Sequence, residues 1–299
     1  MPHAGRWPVD AGSLHRPVLA WYAGHARDLP WRDPSCSPWG VLVSEVMSQQ
    51  TPVGRIEPVW REWMERWPTP AALAAESPGE VVRAWGRLGY PRRALRLREA
   101  AVAVVEHHGG QVPSDEAGLL SLPGVGSYTA AAVVAFAFGR RTTVVDTNVR
   151  RVLARAVGGR EHAAPSLTAA ESALAAAVVP EDAPTSATWN VAVMELGALV
   201  CQARAPRCDA CPLLDRCAWV LAGRPPHDGP PRRGQGWHGT DRQVRGAVLQ
   251  LLRDSPGPLT REALDAAGPD AGQVERCIGS LVEDGLLEPL EHDRFRLPA

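Results

Sequence analysis

The chain contains no lysine; all 32 of its basic Lys and Arg positions are arginine. That absence excludes a Schiff base on a lysine amine and the lysine of a phosphate-binding P-loop. Among amines, only the α-amino group is left as a nucleophile. Phe and Tyr are scarce, three of each, whereas Trp occurs 11 times. Six cysteines in 299 residues are too few for a disulfide scaffold. No apolar run approaches the roughly 18 residues that span a bilayer. The opening MPHAGRWPVD lacks the apolar stretch of a signal peptide. These absences lead to the expectation of a soluble, cytoplasmic protein with no membrane partner; a monomer is expected as well. Charge of one sign is missing as well, since the net charge is −1. Residues 1–225 sum to +2 and residues 226–299 to −3, with nine Arg against twelve Asp and Glu in the latter. Only local arginine clusters, not total charge, are able to argue for a polyanionic partner.

What is present points to an ordered, mainly helical chain. The apolar content is 45%, enough for one large core or two. Residues 1–12 read as a disordered lead-in. From His15 to Ala222 helical patterns dominate: Pro38–Gln50, Pro70–Leu88 as two short helices, Arg92–His107, a run from Asn148 and another over Thr188–Val200. No strand alternation recurs, so this region, 13–222, is expected to be one all-α domain. Residues 223–239, GRPPHDGPPRRGQGWHG, are a Pro- and Gly-rich linker. Residues 240–299 hold three helix candidates, followed by a hairpin at His292–Asp293. That order suggests a small winged-helix-like α+β module.

Four cysteines cluster as C-x6-C-x2-C-x5-C at Cys201, Cys208, Cys211 and Cys217. Zinc and a 4Fe–4S cluster are both held by four thiolates, and buried free cysteines are the plainer alternative. Cys36 and Cys277 stand alone as small core residues. Between the first two clustered cysteines lie Arg204 and Arg207, whose forked guanidiniums suit phosphate; an ordinary solvated loop is the competing reading.

Two glycines, Gly124 and Gly126 around Val125, shape a turn in LPGVGSYTA ahead of a helix whose first N–H groups suit phosphate. Asp146 follows the apolar TTVV and precedes a helix. A carboxylate there is expected to be held ionised by the helix N-terminus, and a simple N-cap explains it equally. Glu45 lies within VLVSEVM. Apolar neighbours would desolvate it and favour the protonated acid, unless it sits on an exposed helix face. One acid and one carboxylate in opposed surroundings suit cleavage of a glycosidic bond.

These residues, taken with their order, resemble the MutY-type adenine DNA glycosylases of the helix-hairpin-helix superfamily. The matching segments are WYAGHARDLPWR, VSEVMSQQT, WGRLGYPRRA, LPGVGSYTAAAV, VVDTNVRRVLAR and ELGALVC with its trailing cysteines. The resemblance implies a two-lobed, all-α helix-hairpin-helix glycosylase fold with a 4Fe–4S cluster on Cys201, Cys208, Cys211 and Cys217. It implies excision of adenine from A:8-oxoguanine or A:G pairs in double-stranded DNA. Glu45 matches the general acid that protonates adenine, and Asp146 the carboxylate facing the oxocarbenium ion. Tyr128 and Asn148 match their polar supports, Arg27 and Trp31 the lining of the adenine pocket, and Gln50 and Tyr90 a pair that intercalates near the lesion. Gly124, Val125 and Gly126 match the hairpin that grips phosphate, with Arg204 and Arg207 as further DNA contacts.

Bifunctional relatives carry a lysine where Tyr128 stands, so this chain is expected to be monofunctional. Ser48, Pro91, Thr147 and Val191 depart from the usual family residues. The C-terminal segment is too short for the Nudix-like domain of many members, and the −3 charge of residues 226–299 argues mildly against tight phosphate binding. Two other readings compete. A thymine or uracil mismatch glycosylase is countered by Glu45, because a pyrimidine has no N7 to protonate. A non-catalytic iron–sulfur DNA-binding protein would need neither Glu45 nor Asp146.

Overall fold

The structure is a computed structural model and describes residues 12–227, 229 and 236–299. Residues 1–11 of the expected lead-in, and residues 228 and 230–235 of the expected linker, lie outside the described residues. In chain order the helices are α1 (Gly12–His25), α2 (Pro38–Ser48), α3 (Val53–Arg66), α4 (Pro70–Ala74), α5 (Pro78–Trp85), α6 (Arg92–His107), α7 (Glu116–Leu120) and α8 (Ser127–Phe138). There follow α9 (Thr147–Ala156), α10 (Ala169–Ala177), α11 (Ala183–Leu199) and a short α12 (Ala218–Leu221). The C-terminal residues form α13 (Asp241–Asp254), α14 (Arg261–Asp265) and α15 (Ala271–Glu283), with strands β1 (Leu259–Thr260), β2 (Glu288–Leu290) and β3 (Arg294–Arg296). Among the described residues no helix is long and apolar enough to cross a membrane.

Capping chemistry explains most helix starts. The hydroxyls of Thr69, Ser77, Thr168 and Thr240 each accept a backbone N–H three residues on, and Pro70 and Pro78 stand in the first helical turn. Thr168 and Glu171 complete a reciprocal capping box. Asp182 caps α11, so that helix begins ahead of the expected Thr188. The polar, proline-bearing first turn hides its apolar period.

The described residues fall into two compact units, one drawn from Met1–Pro38, Ser114–Glu116 and Gly126–Pro231, the other from Trp39–Pro113, Ala117–Val125 and Arg232–Ala299. In the first, α1, α9, α10 and α11 bury Leu14, Val18, Trp21, Val152, Leu153, Leu174 and Leu196 together. In the second, tryptophan does the filling that Phe does elsewhere. Trp63 meets Trp67 and Trp85 edge to face, at ring separations of 4.9 and 5.4 Å. Every indole of this group finds an acceptor: Trp39 on the Trp67 carbonyl, Trp60 on Gly40, Trp63 on Ala84, Trp85 on Gly89 and Trp67 on the Glu76 carboxylate.

The C-terminal residues form three helices and an antiparallel sheet of order β1–β3–β2, with Phe295 opposite both Leu259 and Pro289. The β2–β3 turn has positive φ at His292 (60°) and Asp293 (52°), as a tight hairpin requires. Strand β1 escapes the sequence pattern because it is only two residues long. The core of this module includes Val82 of α5 alongside Val248, Leu252, Ile278, Leu281 and Phe295. Arg83 donates to the carbonyls of Leu252, Arg253 and Ser255, and Arg253 donates back to the Val82 carbonyl. A Cβ on Gly79 would run into the Pro298 carbonyl, so the chain end lies directly on α5.

Candidate active site

In the second unit, α2 runs almost wholly inside the core, and Glu45 is only 5% exposed. The exposed-face alternative for Glu45 is therefore set aside. Beyond the helix, Gln50 takes a positive φ of 56° and its side chain is exposed. Tyr90, 46% exposed, also has positive φ (47°), in a turn that Gly89 opens at 82°. Pro91 then starts α6 with φ −63°, so its presence after Tyr90 has a local helical reason.

Arg93, which the sequence reading passed over, joins these two turns. One guanidinium nitrogen donates to the carbonyls of Val46, Met47 and Gln49, and the other to the Thr51 hydroxyl and the carbonyls of Leu88 and Gly89. A cation on the last carbonyls of α2 is favoured by the helix dipole. Burial pulls the Arg93 guanidinium down to about 10, which still leaves it charged near neutral pH. Both Trp85 and Tyr90 offer it a ring face, at 5.1 and 5.5 Å. The doublet after Tyr90 was the only available sign, and it does not say which arginine turns inward.

The glycine turn divides in its roles. Gly124 has φ +75°, and a Cβ there would lie 2.7 Å from the Arg96 Cβ. Gly126 has φ −96° and open space around it, so neither left-handed backbone nor close approach requires glycine there. It stands instead at the N-cap of α8. Val125 is buried, and its N–H closes the turn on the Leu122 carbonyl at 3.2 Å.

In the first unit, Asp146 caps α9. Its carboxylate accepts the Val149 N–H at 2.6 Å and the Asn148 amide at 2.6 Å. Burial nevertheless pushes the Asp146 carboxyl above its usual range, against the lowering effect of those bonds and of Arg151. The helix-terminus cap that the sequence suggests is present and favours the ionised carboxylate, and desolvation works against it. Asn148 is fixed in turn by Arg151, which donates to its side-chain oxygen at 2.7 Å and to the carbonyls of Gly197 and Cys201. A Cβ on Gly197 would stand 2.6 Å from the Asn148 Cβ, so α11 passes against this corner with no room to spare. Tyr128, on α8, donates to the Met194 sulfur at 3.6 Å.

Arg27 is held by a residue the sequence reading missed. Glu195, fully buried on α11, accepts the Arg27 Nε at 2.8 Å, the Arg27 Nη2 at 2.6 Å and the Arg27 backbone N–H at 3.0 Å. Arg32 Nη2 donates to the same carboxylate at 2.8 Å. Although burial works the other way, the two guanidiniums hold Glu195 at about 2. Trp31, between the two arginines in sequence, is buried. The ELGA segment around Glu195 was visible only as a family motif. Its ion partners lie more than 160 residues away, beyond the reach of any local pattern.

The four clustered cysteines line one small cavity together with Arg155 and Trp219. Arg155 is buried, donates to the Cys201 Sγ at 3.4 Å and to the Gln202 and Ala203 carbonyls, and stacks over Trp219 at 4.9 Å. Burial pushes the Cys211 thiol up to about 11. Among the described residues, no group of three or more His, Cys, Asp or Glu converges closely enough to hold a single metal ion. Arg204 and Arg207 are both exposed on the loop between the first two cysteines.

Residues 43–176 match the family model of the HhH-GPD superfamily base excision DNA repair proteins. The adenine DNA glycosylase of Mycobacterium tuberculosis is 52% identical over 302 residues, covering 100% of this chain and 99% of that protein. The adenine DNA glycosylase of Homo sapiens is 41% identical over 226 residues, 72% of this chain and 41% of its own length. A solved thermostable thymine-DNA glycosylase superposes with a TM-score of 0.63 at 27% identity, over 71% of this chain and 97% of that one. With a relative matched end to end at this identity, and with the buried Glu45 and the Asp146 cap lying inside the matched domain, the chain belongs to the adenine DNA glycosylase family of the helix-hairpin-helix base excision repair superfamily.

Proposed function

We propose that this protein hydrolyses the N-glycosidic bond of adenine in duplex DNA, acting on adenine opposite 8-oxoguanine or guanine. The full-length similarity to the mycobacterial adenine glycosylase carries this reading, and the burial of Glu45 supports it. Adenine is a poor anionic leaving group, so a proton must reach the purine as the bond breaks. Glu45 delivers it to N7 of the flipped base. The sugar becomes an oxocarbenium ion, and Asp146, oriented by Val149 and Asn148, faces it with negative charge. Water then adds at the anomeric carbon. Arg27, fixed by Glu195, and Trp31 line the base pocket; Gln50 and Tyr90 enter the stack where the base has left.

The cysteine site fits a 4Fe–4S cluster. Four thiols share a cavity without converging on one point, and the Arg155 guanidinium donates to the Cys201 Sγ at its edge. Cys201, Cys208, Cys211 and Cys217 would hold the cluster. When bound there the cluster would supply a structural cross-link rather than redox chemistry, because hydrolysis moves no electrons. The four cysteines would then fix the loop that carries Arg204 and Arg207 toward phosphate.

The test is a parallel assay on duplexes carrying A:8-oxoguanine, A:G and T:G. Adenine release is expected to exceed thymine release by about 10⁴-fold, the discrimination available to a site that hydrogen-bonds its substrate. Faster thymine release would favour the mismatch-thymine reading, to which the solved thymine-DNA glycosylase gives its support. A second expectation follows from the missing lysine. Borohydride should trap no covalent complex of the enzyme with abasic DNA, and a trapped band on a denaturing gel would overturn the monofunctional assignment.

A further inference from the structure

In the second unit, Tyr90 is presented by a turn with little stiffness of its own. Gly86 (φ 54°), Gly89 (82°) and Tyr90 (47°) all take positive φ, and open space surrounds both glycines. Glycine has the widest backbone freedom of any residue, so such a turn has to be fixed from outside. On one side Thr51 and Arg93 hold the Leu88 and Gly89 carbonyls, and Arg55 the Arg87 carbonyl. The C-terminal module takes hold of the same stretch from another side, before and after Tyr90. Ahead of the turn, Gly79 lies against the Pro298 carbonyl, Val82 enters the core of the module, and Arg83 and Arg253 exchange hydrogen bonds across it. Within the turn, Arg87 Nε donates to the Gln250 side chain at 3.3 Å. Behind it, Arg92 pairs with Asp284 at 3.1 Å, the same carboxylate accepts from Arg245 of α13, and Leu95 packs on the core of the module.

We propose that the C-terminal module is an internal brace for the Tyr90 turn, with Asp284 and Arg83 as positioning residues that set Tyr90 in its left-handed conformation before any DNA arrives. The argument is one of preorganisation. A side chain that wedges between bases has to keep its shape against the stack, and freedom that is lost only on binding lowers affinity. Anchoring both flanks of the turn to one folded module removes that freedom in advance. The anchors are chemically apt. Arg83 places its cation on the Leu252, Arg253 and Ser255 carbonyls at the end of α13, where the helix dipole favours positive charge. Asp284, just past α15, joins Arg92 of α6 to Arg245 of α13, so a single carboxylate ties the helix behind Tyr90 to two parts of the module. This role needs no contact between the module and DNA. That Tyr90 enters a base stack rests on the glycosylase reading above; the brace itself does not.

The first measurement uses no DNA. Hydrogen–deuterium exchange of the full-length protein is followed at the Gly86 and Leu88 amides, which donate to the Arg83 and Trp85 carbonyls within the turn. In Asp284→Ala and in Arg83→Gln these amides should exchange about fivefold faster or more, while amides of α9 in the other unit keep the parent rate. Asp284→Glu, which retains the carboxylate, should return most of the protection, and Arg276→Gln, an exposed residue of α15, should match the parent. The second measurement is the preference for A:8-oxoguanine over A:G in single-turnover excision. Asp284→Ala should lower that preference about threefold or more in the parent and leave it unchanged in a Tyr90→Ala background, because a positioning residue acts only through the group it positions. Exchange that stays at the parent rate in both variants would mean that Thr51, Arg55 and Arg93 fix the turn unaided. A preference that does not move, or that falls equally without Tyr90, would separate the module from the turn. Any of these results overturns the proposal. A protein whose exchange responds as expected but which releases no adenine keeps the brace and loses the glycosylase reading.

Discussion

Replacing Glu45 with Gln is expected to slow adenine release by about 10²–10⁴-fold, the usual contribution of a positioned general acid, while duplex affinity stays close to that of the parent. The amide keeps the shape of a side chain that is only 5% exposed on a tightly packed helix, so the loss would report the missing proton rather than a disturbed core. The pH profile adds a second readout. Burial raises the Asp146 carboxyl, so the ionised form that stabilises the positive sugar is reached only above the usual aspartate value of about 3.9. The parent rate should climb as pH passes that raised value. In Glu45→Gln this ascending limb should remain, at a much lower plateau. Single-turnover rates across pH measure both proteins. Full activity in the variant would remove Glu45 as the acid.

Replacing Glu195 with Ala should cost about 3 kcal/mol of folding stability, the low end of the range for breaking a buried ion cluster. The low end applies because Arg27 and Arg32 retain 33% and 18% side-chain exposure and are able to rehydrate in part. Both arginines would still lose their shared carboxylate, and the Arg27 backbone N–H its acceptor. The pH dependence follows from the depressed carboxyl. Glu195 sits at about 2 in the folded protein, against about 4.3 for a free glutamate. Its stabilising contribution is therefore complete above that free value and is lost as pH falls from there toward 2. Denaturant unfolding at neutral and acidic pH should show a parent that weakens through this window and a variant that weakens less. A variant as stable as the parent at neutral pH would mean that the cluster contributes nothing net. Because Arg27 would be released, the variant should also bind adenine-containing duplex less discriminately than the parent.

Much of the molecule is legible from local pattern. Helix α6 occupies the segment its apolar period marks, Arg92–His107, because an amphipathic helix needs only its own spacing to declare itself. The His292–Asp293 turn was readable because only a few residue types accept two consecutive positive φ angles. The cysteine spacing singled out its four thiols for the same reason: their closeness is a property of the chain itself. Glu45 and Asp146 were found from their neighbours, one amid apolar residues and one ahead of a helix.

By itself, then, the sequence determined the helical character and the absence of lysine chemistry, and it singled out the four clustered thiols and the two carboxyls as candidates. Tertiary structure alone decided that Glu195 is the carboxylate holding Arg27 and Arg32, that Arg93 rather than Arg92 turns in beneath Gln50 and Tyr90, and that desolvation works against the cap at Asp146. It also turned a module of net negative charge toward its neighbour with an arginine face. The reason is common to all of these. Ionisation and ion pairing depend on what surrounds a group in three dimensions, and those surroundings come from residues far apart along the chain, whereas periodicity, capping and ligand spacing are settled within a few residues.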